Sequence, residues 1–238
     1  MEIVTIRLPA SNVHLIHGRA GNILVDSGTE AAVPRLRRAL DKLGVDPHRL
    51  RAVVLTHGHA DHAGGARRLV GAEVPVLIGA PDAPIVRSGR NPDLVCTNLT
   101  ARVIRPFVDR PFTGYEPDVL IDDVTDLQPY GIPAYAVPAP SHTPGSLAIF
   151  GTRPGMPALV GDLIRGGYLG GALAPGRPAR HYYSHDTGRD LRVLDALIGQ
   201  HRPVRLFLGH GGPVDTDTVT NLVRGRHGTS TAARGIAS

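Results

Sequence analysis

Three histidines and one aspartate cluster in the first half of the chain: His57, His59, Asp61 and His62. They follow residues 52–55, a short apolar and β-branched run that predicts a buried strand ending in a loop. His57 and His59 are two positions apart, with only Gly58 between them, so an extended chain turns both rings to one side. Asp61 and His62 follow a predicted turn and can face a second point. Neutral imidazole and carboxylate are accepted zinc ligands, so the segment predicts a metal site. The alternative is a loop whose histidines only form hydrogen bonds.

Three further candidate ligands lie in the second half of the chain: His142, Asp162 and His210. Each lies in a turn beside an apolar, strand-like run and next to a glycine or within three residues of one. Glycine allows the backbone and a ligand to approach each other closely. Taken alone, each is typical of an ordinary turn residue. Taken together, they supply what the first loop lacks for a complete metal centre.

The elements that must position these residues follow from periodicity. Alternation predicts early strands over residues 3–8, 12–16 and 22–25, and residues 63–70 indicate a helix leaving the His-rich loop. An amphipathic helix is predicted over 30–43, capped by Thr29, and another over 190–201. Further strand-like runs cover residues 74–78, 119–127, 134–137 and 147–150. Strands followed by ligands therefore occur in both halves.

The chain divides into a predicted catalytic domain, residues 1–224, and a tail. Within the domain, residues 80–118 are rich in proline and contain a predicted helix over 99–108. Long insertions in compact domains are often functional, so this one is interpreted as a lid over the site, with a purely structural loop as the alternative. Residues 225–238 are poor in apolar residues and predict a disordered tail.

Composition limits the classes of function. The 238 residues carry a net charge of +5, and the pI is about 9.9. Arginines are dispersed and aromatic residues are scarce, which disfavours nucleic acid as a partner. No apolar run approaches the ~20 residues that span a membrane, and no signal peptide is recognised. Cys96 is the single cysteine, which is typical of a reducing compartment, so we predict a cytoplasmic protein. The expected partner is a small-molecule substrate, for the reasons given by the resemblance described next.

The motifs in order resemble the metallo-β-lactamase superfamily. The resemblance extends from about residue 12 to 215 and rests on five motifs: VDSG with Asp26, THGHADH at 56–62, SHTPGS at 141–146, Gly161-Asp162, and GHGG at 209–212. It implies an α/β fold of four layers, the αββα sandwich, with metals at one edge between strand ends.

The resemblance also implies a ligand for each position. One metal would be bound by His57, His59 and His142. A second would be bound by Asp61, His62 and His210, with Asp162 bridging the pair. Asp26 corresponds to a position that orients the His-rich loop. Two divalent ions are expected, zinc first, with iron or manganese also open.

The bridging Asp162 and the SHTPG turn are most similar to the glyoxalase II and lactonase branches. That similarity implies hydrolysis of a small ester, thioester or lactone by a hydroxide held between the metals. Asp61 is then expected to orient the hydroxide or carry a proton. Tyr168 is a candidate donor to the developing oxyanion. The pocket candidates are His181, Tyr182 and His185; simple packing of these aromatic residues is the alternative.

Other functions remain open at this point. Related phosphodiesterases that act on nucleotides or RNA use nearly the same ligands. An iron oxygenase of the persulfide dioxygenase type would bind one metal through His57, His142 and Asp162. A binding or scaffold protein without activity is disfavoured because the ligand set is intact. The oligomeric state is not indicated, and a homodimer is left open.

Overall fold

The computed structural model describes residues 1–91 and 94–224, apart from the side chain of Phe107. The predicted tail, residues 225–238, lies outside the described residues. Within the described ranges, no helix combines the length and apolar character needed to cross a bilayer.

The first half of the chain forms one six-stranded sheet, in which the strand order follows the sequence. The first three strands pair antiparallel, and the third to the sixth run parallel. The strands are β1 (Glu2–Arg7), β2 (Asn12–Gly18), β3 (Gly21–Val25), β4 (Ala52–Val54), β5 (Val76–Gly79) and β6 (Val119–Ile121).

The second half contributes the strands β7 (Thr125–Asp126), β8 (Ala134–Pro138), β9 (Leu147–Gly151), β10 (Ala158–Leu159), β11 (Arg165–Tyr168), β12 (Leu173–Ala179), β13 (Arg205–Phe207) and β14 (Val214–Asp215). A second six-stranded sheet has the order β14-β13-β10-β9-β8-β7. Strands β11 and β12 form a separate antiparallel hairpin.

The helices are α1 (Val33–Lys42), α2 (Ala60–Ala63), α3 (Ala66–Val70), α4 (Ala83–Ser88), α5 (Leu99–Val108), α6 (Thr187–His201) and α7 (Thr216–Val223). Side chains of α1, α3 and α4 pack on the outer face of the first sheet. Those of α6 and α7 pack on the outer face of the second. The helices therefore form the two outer layers.

A third apolar cluster joins the two sheets face to face. On β4, Ala52 and Val54 point into this cluster while Val53 points to the helices, which is the two-residue period of a strand buried on both faces. Ala134 and Ala136 of β8, in the second sheet, pack into the same cluster. The layers are thus α, β, β, α, and the predicted four-layer sandwich is confirmed.

Some predicted elements divide in the structure. The strand-like residues 119–127 form β6 in one sheet and β7 in the other, because the chain crosses between the sheets there. The helix predicted over 63–70 is interrupted at Gly64 and Gly65, where a Cβ would collide with backbone oxygens of Ala60 and Ser27. The helix predicted over 30–43 begins as a 3-10 turn, and Thr29 makes no side-chain cap bond.

His14 links the first sheet to the second. This residue of β2 is buried, with Nε2 3.0 Å from the Leu208 carbonyl oxygen and Nδ1 3.1 Å from the Thr5 hydroxyl. Burial lowers the pKa of His14 from 6.5 to about 4, so the folded protein keeps the ring neutral.

The His14→Gln variant should lose part of the acid sensitivity of the fold. Between pH 7 and 5 the unfolded chain protonates His14 and the folded chain does not, so falling pH favours unfolding. From the two pKa values, this costs the wild type about 2 kcal/mol of unfolding free energy that the variant does not lose. Urea titrations of both proteins at pH 7 and 5, with EDTA present, measure the difference. Equal pH dependence in both proteins would contradict the assignment.

Candidate metal centre

The His-rich loop begins where β4 ends, at the edge where the two sheets meet. His59 has an extended backbone conformation and is the residue that precedes α2, and His57 lies two positions earlier, in the loop after β4. Asp61 and His62 lie on α2 itself. The change from extended chain to helix separates the side chains into two pairs, as the spacing predicts.

Three imidazoles converge in a first group made of His57, His59 and His142. Nδ1 of His59 lies 3.1 Å from Nε2 of His57 and 3.2 Å from Nε2 of His142. All three side chains are buried. The first two come from the loop after β4 and the third from the turn between β8 and β9, so one group draws on both sheets.

A second group consists of Asp61, His62 and His210. Oδ2 of Asp61 lies 3.6 Å from Nε2 of His62 and 3.5 Å from Nε2 of His210, and the two nitrogens are 3.4 Å apart. His210 follows β13 in the second sheet. This group, too, is assembled from both halves of the chain.

Asp162 lies between the two groups. Its Oδ2 atom is 3.8 Å from Nε2 of His57 and 3.7 Å from Nε2 of His142 in the first group. The same atom is 3.4 Å from Nε2 of His62 and 3.1 Å from Nε2 of His210 in the second. A single carboxylate therefore contacts both groups.

The donor set fits divalent cations. Within each group, the ligand atoms lie within 4.8 Å of one another. Oδ1 of Asp162 is buried without a hydrogen-bond partner among the described residues, as expected of an oxygen whose natural partner is a cation. At Gly209 a Cβ atom would collide with Asp162 Oδ1 and press on the His62 ring, so glycine keeps this space open.

The sequence of this chain matches the metallo-beta-lactamase superfamily over residues 6–210, which includes every residue of both groups. The chain belongs to this superfamily.

Comparisons with individual proteins agree with that assignment. The uncharacterized protein YobT of Bacillus subtilis is 25% identical over 206 residues, covering 84% of this chain and 82% of YobT. The metallo-beta-lactamase family protein TTHA1429 of Thermus thermophilus has a similar structure, with a TM-score of 0.67, 21% identity, and coverage of 94% and 78%. A di-iron-bound form of TTHA1623 gives 0.63 at 21% identity, covering 92% and 97%. At these identities the two structures establish a shared fold.

Asp26 holds the His-rich loop in place at both of its ends, Thr56 and His62. Its Oδ1 atom accepts the Thr56 backbone N–H at 2.7 Å, and its Oδ2 atom lies 2.8 Å from Nδ1 of His62. That contact fixes Nδ1 on the aspartate side and leaves Nε2 of His62 facing Asp162. Asp26 has a φ of 63°, which aspartate and asparagine tolerate better than most residues.

Asp82 is a buried carboxylate that sequence reasoning missed. It accepts the Gly58 N–H at 2.8 Å, the Thr143 hydroxyl at 2.6 Å and the Gly145 N–H at 2.8 Å. It thereby joins the loop of the first two histidines to the turn that carries His142. Burial raises the pKa of Asp82, although these hydrogen bonds oppose the shift. Only its position before α4 could have marked it, and that pattern carries no metal signature.

The electrostatics separate the two groups. Burial lowers the pKa of His57 and His142 far below 6.5 and that of His59 to about 4, so these rings are neutral and ready to bind a cation.

The second group has the opposite balance. Burial disfavours a charged His62, but Asp162, Asp61 and Asp26 together outweigh it and raise the pKa of His62. Burial alone would raise the pKa of Asp162, but the neighbouring His210, His181 and His62 outweigh it and hold this pKa well below 3.8. A cation entering this group would displace protons.

Both groups open into a cavity of about 220 Å³. Two of the predicted pocket residues, His181 and Tyr182, line it, and Nε2 of His181 lies 3.0 Å from Oδ2 of Asp162. His185 is exposed and borders a neighbouring cavity beside His142. Tyr168 is 42% exposed and borders another cavity, outside the one that contains Asp61 and Asp162. The structure therefore does not bring the Tyr168 hydroxyl to the centre.

The insertion over 80–118 supplies one wall of the cavity. Leu94, Ile104 and Val108 line it, the last two from α5, which spans the residues predicted to be helical. Asn91 accepts the Ala60 backbone N–H at 2.8 Å, which ties the insertion to the start of α2.

Replacing Asp26 by Asn should weaken metal binding more than folding. Asn tolerates the φ of 63° but lacks the charge that orients His62, so the affinity of the metal-free protein for an added divalent cation, tested with zinc, should fall about 10- to 100-fold. Competition with a chromogenic chelator measures this affinity. The matched control is Glu30→Gln, which alters a carboxylate that accepts the Thr113 backbone N–H away from the centre. This control should leave the zinc affinity unchanged. Wild-type affinity in the Asp26 variant would contradict the orienting role.

Proposed function

We propose that the protein is a dinuclear metal-dependent hydrolase that attacks the carbonyl of a small ester, thioester or lactone. The observation that carries this proposal is the pair of three-residue groups joined by Asp162 at the cavity. Two cations in such a site supply Lewis acidity and bring the pKa of water toward neutrality. We assign His57, His59 and His142 to one ion, and Asp61, His62 and His210 to the other.

The protein's own residues then position the substrate and protect the reaction. Asp61 is the most exposed member of the two groups, with 17% of its side chain accessible, so its carboxylate can accept a proton at the cavity surface. The Tyr183 backbone N–H points to Nδ1 of His181 at 3.2 Å, which leaves Nε2 of His181 facing Asp162. Leu94 and Ile104 cover the cavity from the insertion, and we propose that the insertion acts as a lid that excludes water.

A one-metal oxygenase fits the geometry less well. His57, His142 and Asp162 do converge, at 3.7 to 3.8 Å between nitrogen and oxygen. That assignment leaves the second group, with its own aspartate and two histidines, without a role. Zinc is proposed for its acceptance of imidazole and carboxylate; the di-iron form of TTHA1623 makes iron the main competitor. The single cysteine, Cys96, supports a reducing compartment such as the cytoplasm.

Metal analysis together with a substrate panel tests the proposal. Purified protein should contain close to two zinc ions per chain and turn over an aryl ester, a thioester or a lactone. Turnover confined to bis(p-nitrophenyl) phosphate would indicate a phosphodiesterase instead. One iron per chain without hydrolysis would indicate the oxygenase.

The bridging role of Asp162 is tested separately. Asp162→Asn should lower kcat/KM by at least about a hundredfold and reduce the metal content, because one carboxylate contacts both groups. Asp217→Asn, an exposed aspartate of α7, is the control and should behave as wild type. Thermal unfolding shows whether the variants remain folded. A folded Asp162→Asn protein with unchanged turnover would refute the bridging role.

A further inference from the structure

Arg165, the first residue of β11, is a buried cation beside the candidate centre. Arg165 as a whole is only 7% exposed. Among residues 1–91 and 94–224, its Nε and Nη1 atoms have no hydrogen-bond partner, and no carboxylate lies within ion-pair distance. Burying an unpaired charge is costly, and proteins normally pair such groups. A cation left in this condition indicates a site whose partner is an external anion.

Two tyrosines hold the guanidinium in place. Its central carbon lies 3.9 Å from the ring centre of Tyr182 and 5.3 Å from that of Tyr168. Both contacts are of the cation–π type, which offsets part of the cost of burial without neutralising the charge. The position assigns Tyr168 a structural place against Arg165, on the side away from the centre.

Arg165 shares one cavity with Asp61, Asp162 and His210. The facing wall is apolar and includes Leu94 and Ile104. A ligand that fills this space meets the candidate centre at one point, an apolar surface along its body, and a positive charge at another point. Asp162 is not the partner of Arg165, because the two side chains lie beyond ion-pair distance and Oδ2 of Asp162 instead contacts imidazoles, including Nε2 of His181 at 3.0 Å.

A second cavity borders Arg165 from outside, with Arg177 and Arg180 on its wall. These two arginines are exposed, and Arg180 already donates to the Thr187 hydroxyl at 3.0 Å. Exposed cations are solvated and need no bound anion. An anion that pairs with the buried charge of Arg165 is therefore expected in the inner cavity, the one that Arg165 shares with Asp162.

We propose that Arg165 binds an anionic group of the substrate. The substrate would be an ester, thioester or lactone whose carboxylate, or another anion, is separated from the scissile carbonyl by an apolar spacer. The hydrolytic part of this statement rests on the proposed function above, whereas the binding of an anion at Arg165 does not.

The test uses two esters that differ in one charge. Mono-4-nitrophenyl adipate is anionic, and methyl 4-nitrophenyl adipate is its neutral counterpart with the same leaving group and spacer. In the wild type, kcat/KM should be at least about tenfold higher for the anion. The ratio should fall to about one in Arg165→Met and be partly retained in Arg165→Lys. Arg177→Met, which alters only the outer cavity, should keep the wild-type ratio.

A wild-type ratio near one would overturn the proposal, and this measurement requires no variant to fold. The proposal also fails if a folded Arg165→Met protein keeps the preference, or if Arg177→Met alone abolishes it.

Binding without turnover separates this proposal from the hydrolase assignment. By calorimetry, the purified wild-type protein should bind adipamate at least about tenfold more tightly than neutral adipamide, and Arg165→Met should lose the difference. If no ester is hydrolysed but this difference is found, the anion site stands and the hydrolase assignment falls. If esters are hydrolysed and the difference is absent, the reverse holds.

Discussion

The rest of the centre depends on the hydrogen bonds that the Asp26 carboxylate makes to the His-rich loop. This carboxylate is buried at the end of β3, and it binds the Thr56 backbone on one oxygen and the His62 ring on the other. The loop between these residues therefore starts and ends on the same carboxylate. The loop carries His57 and His59 of the first group and Asp61 of the second group. Asp26 therefore helps to fix the position of both groups.

The second sheet of the sandwich supplies the remaining candidate ligands, which the His-rich loop does not contain. His142, Asp162 and His210 come from the second sheet, and they reach the loop only because the inner faces of the two sheets pack closely. Asp82 reinforces the junction through hydrogen bonds to Gly58 and Gly145. Close packing between the sheets and buried carboxylates at their edge together set distances between donor atoms that a flexible loop would not keep.

Much of this arrangement could be predicted from the sequence. The two-residue spacing of His57 and His59 and the alternation within strands depend on local geometry, so the His-rich loop and most of the strands could be predicted directly. The four layers are implied only by the resemblance of the five motifs to the superfamily. Asp82 and Arg165 could not, because their importance arises from burial and from partners distant in the chain. The same reason explains Tyr168. Its short distance in sequence from Asp162 suggests the cavity, but the register of β11 shifts at Gly167, where φ is 68°, and Tyr168 borders a different cavity. Local periodicity says nothing about such tertiary placement.

The crossing of the chain between β6 and β7 has a consequence for how the molecule holds together. Each ligand group takes members from before and after this crossing, so a cation in either group would fasten the two halves to each other. Such a cation closes a loop of many tens of residues, from His59 to His142 in one group and from His62 to His210 in the other. The loss of chain freedom grows only slowly with loop length, so long closures are nearly as inexpensive as short ones. With a cation in each ligand group, the two halves would be expected to unfold together in one cooperative transition.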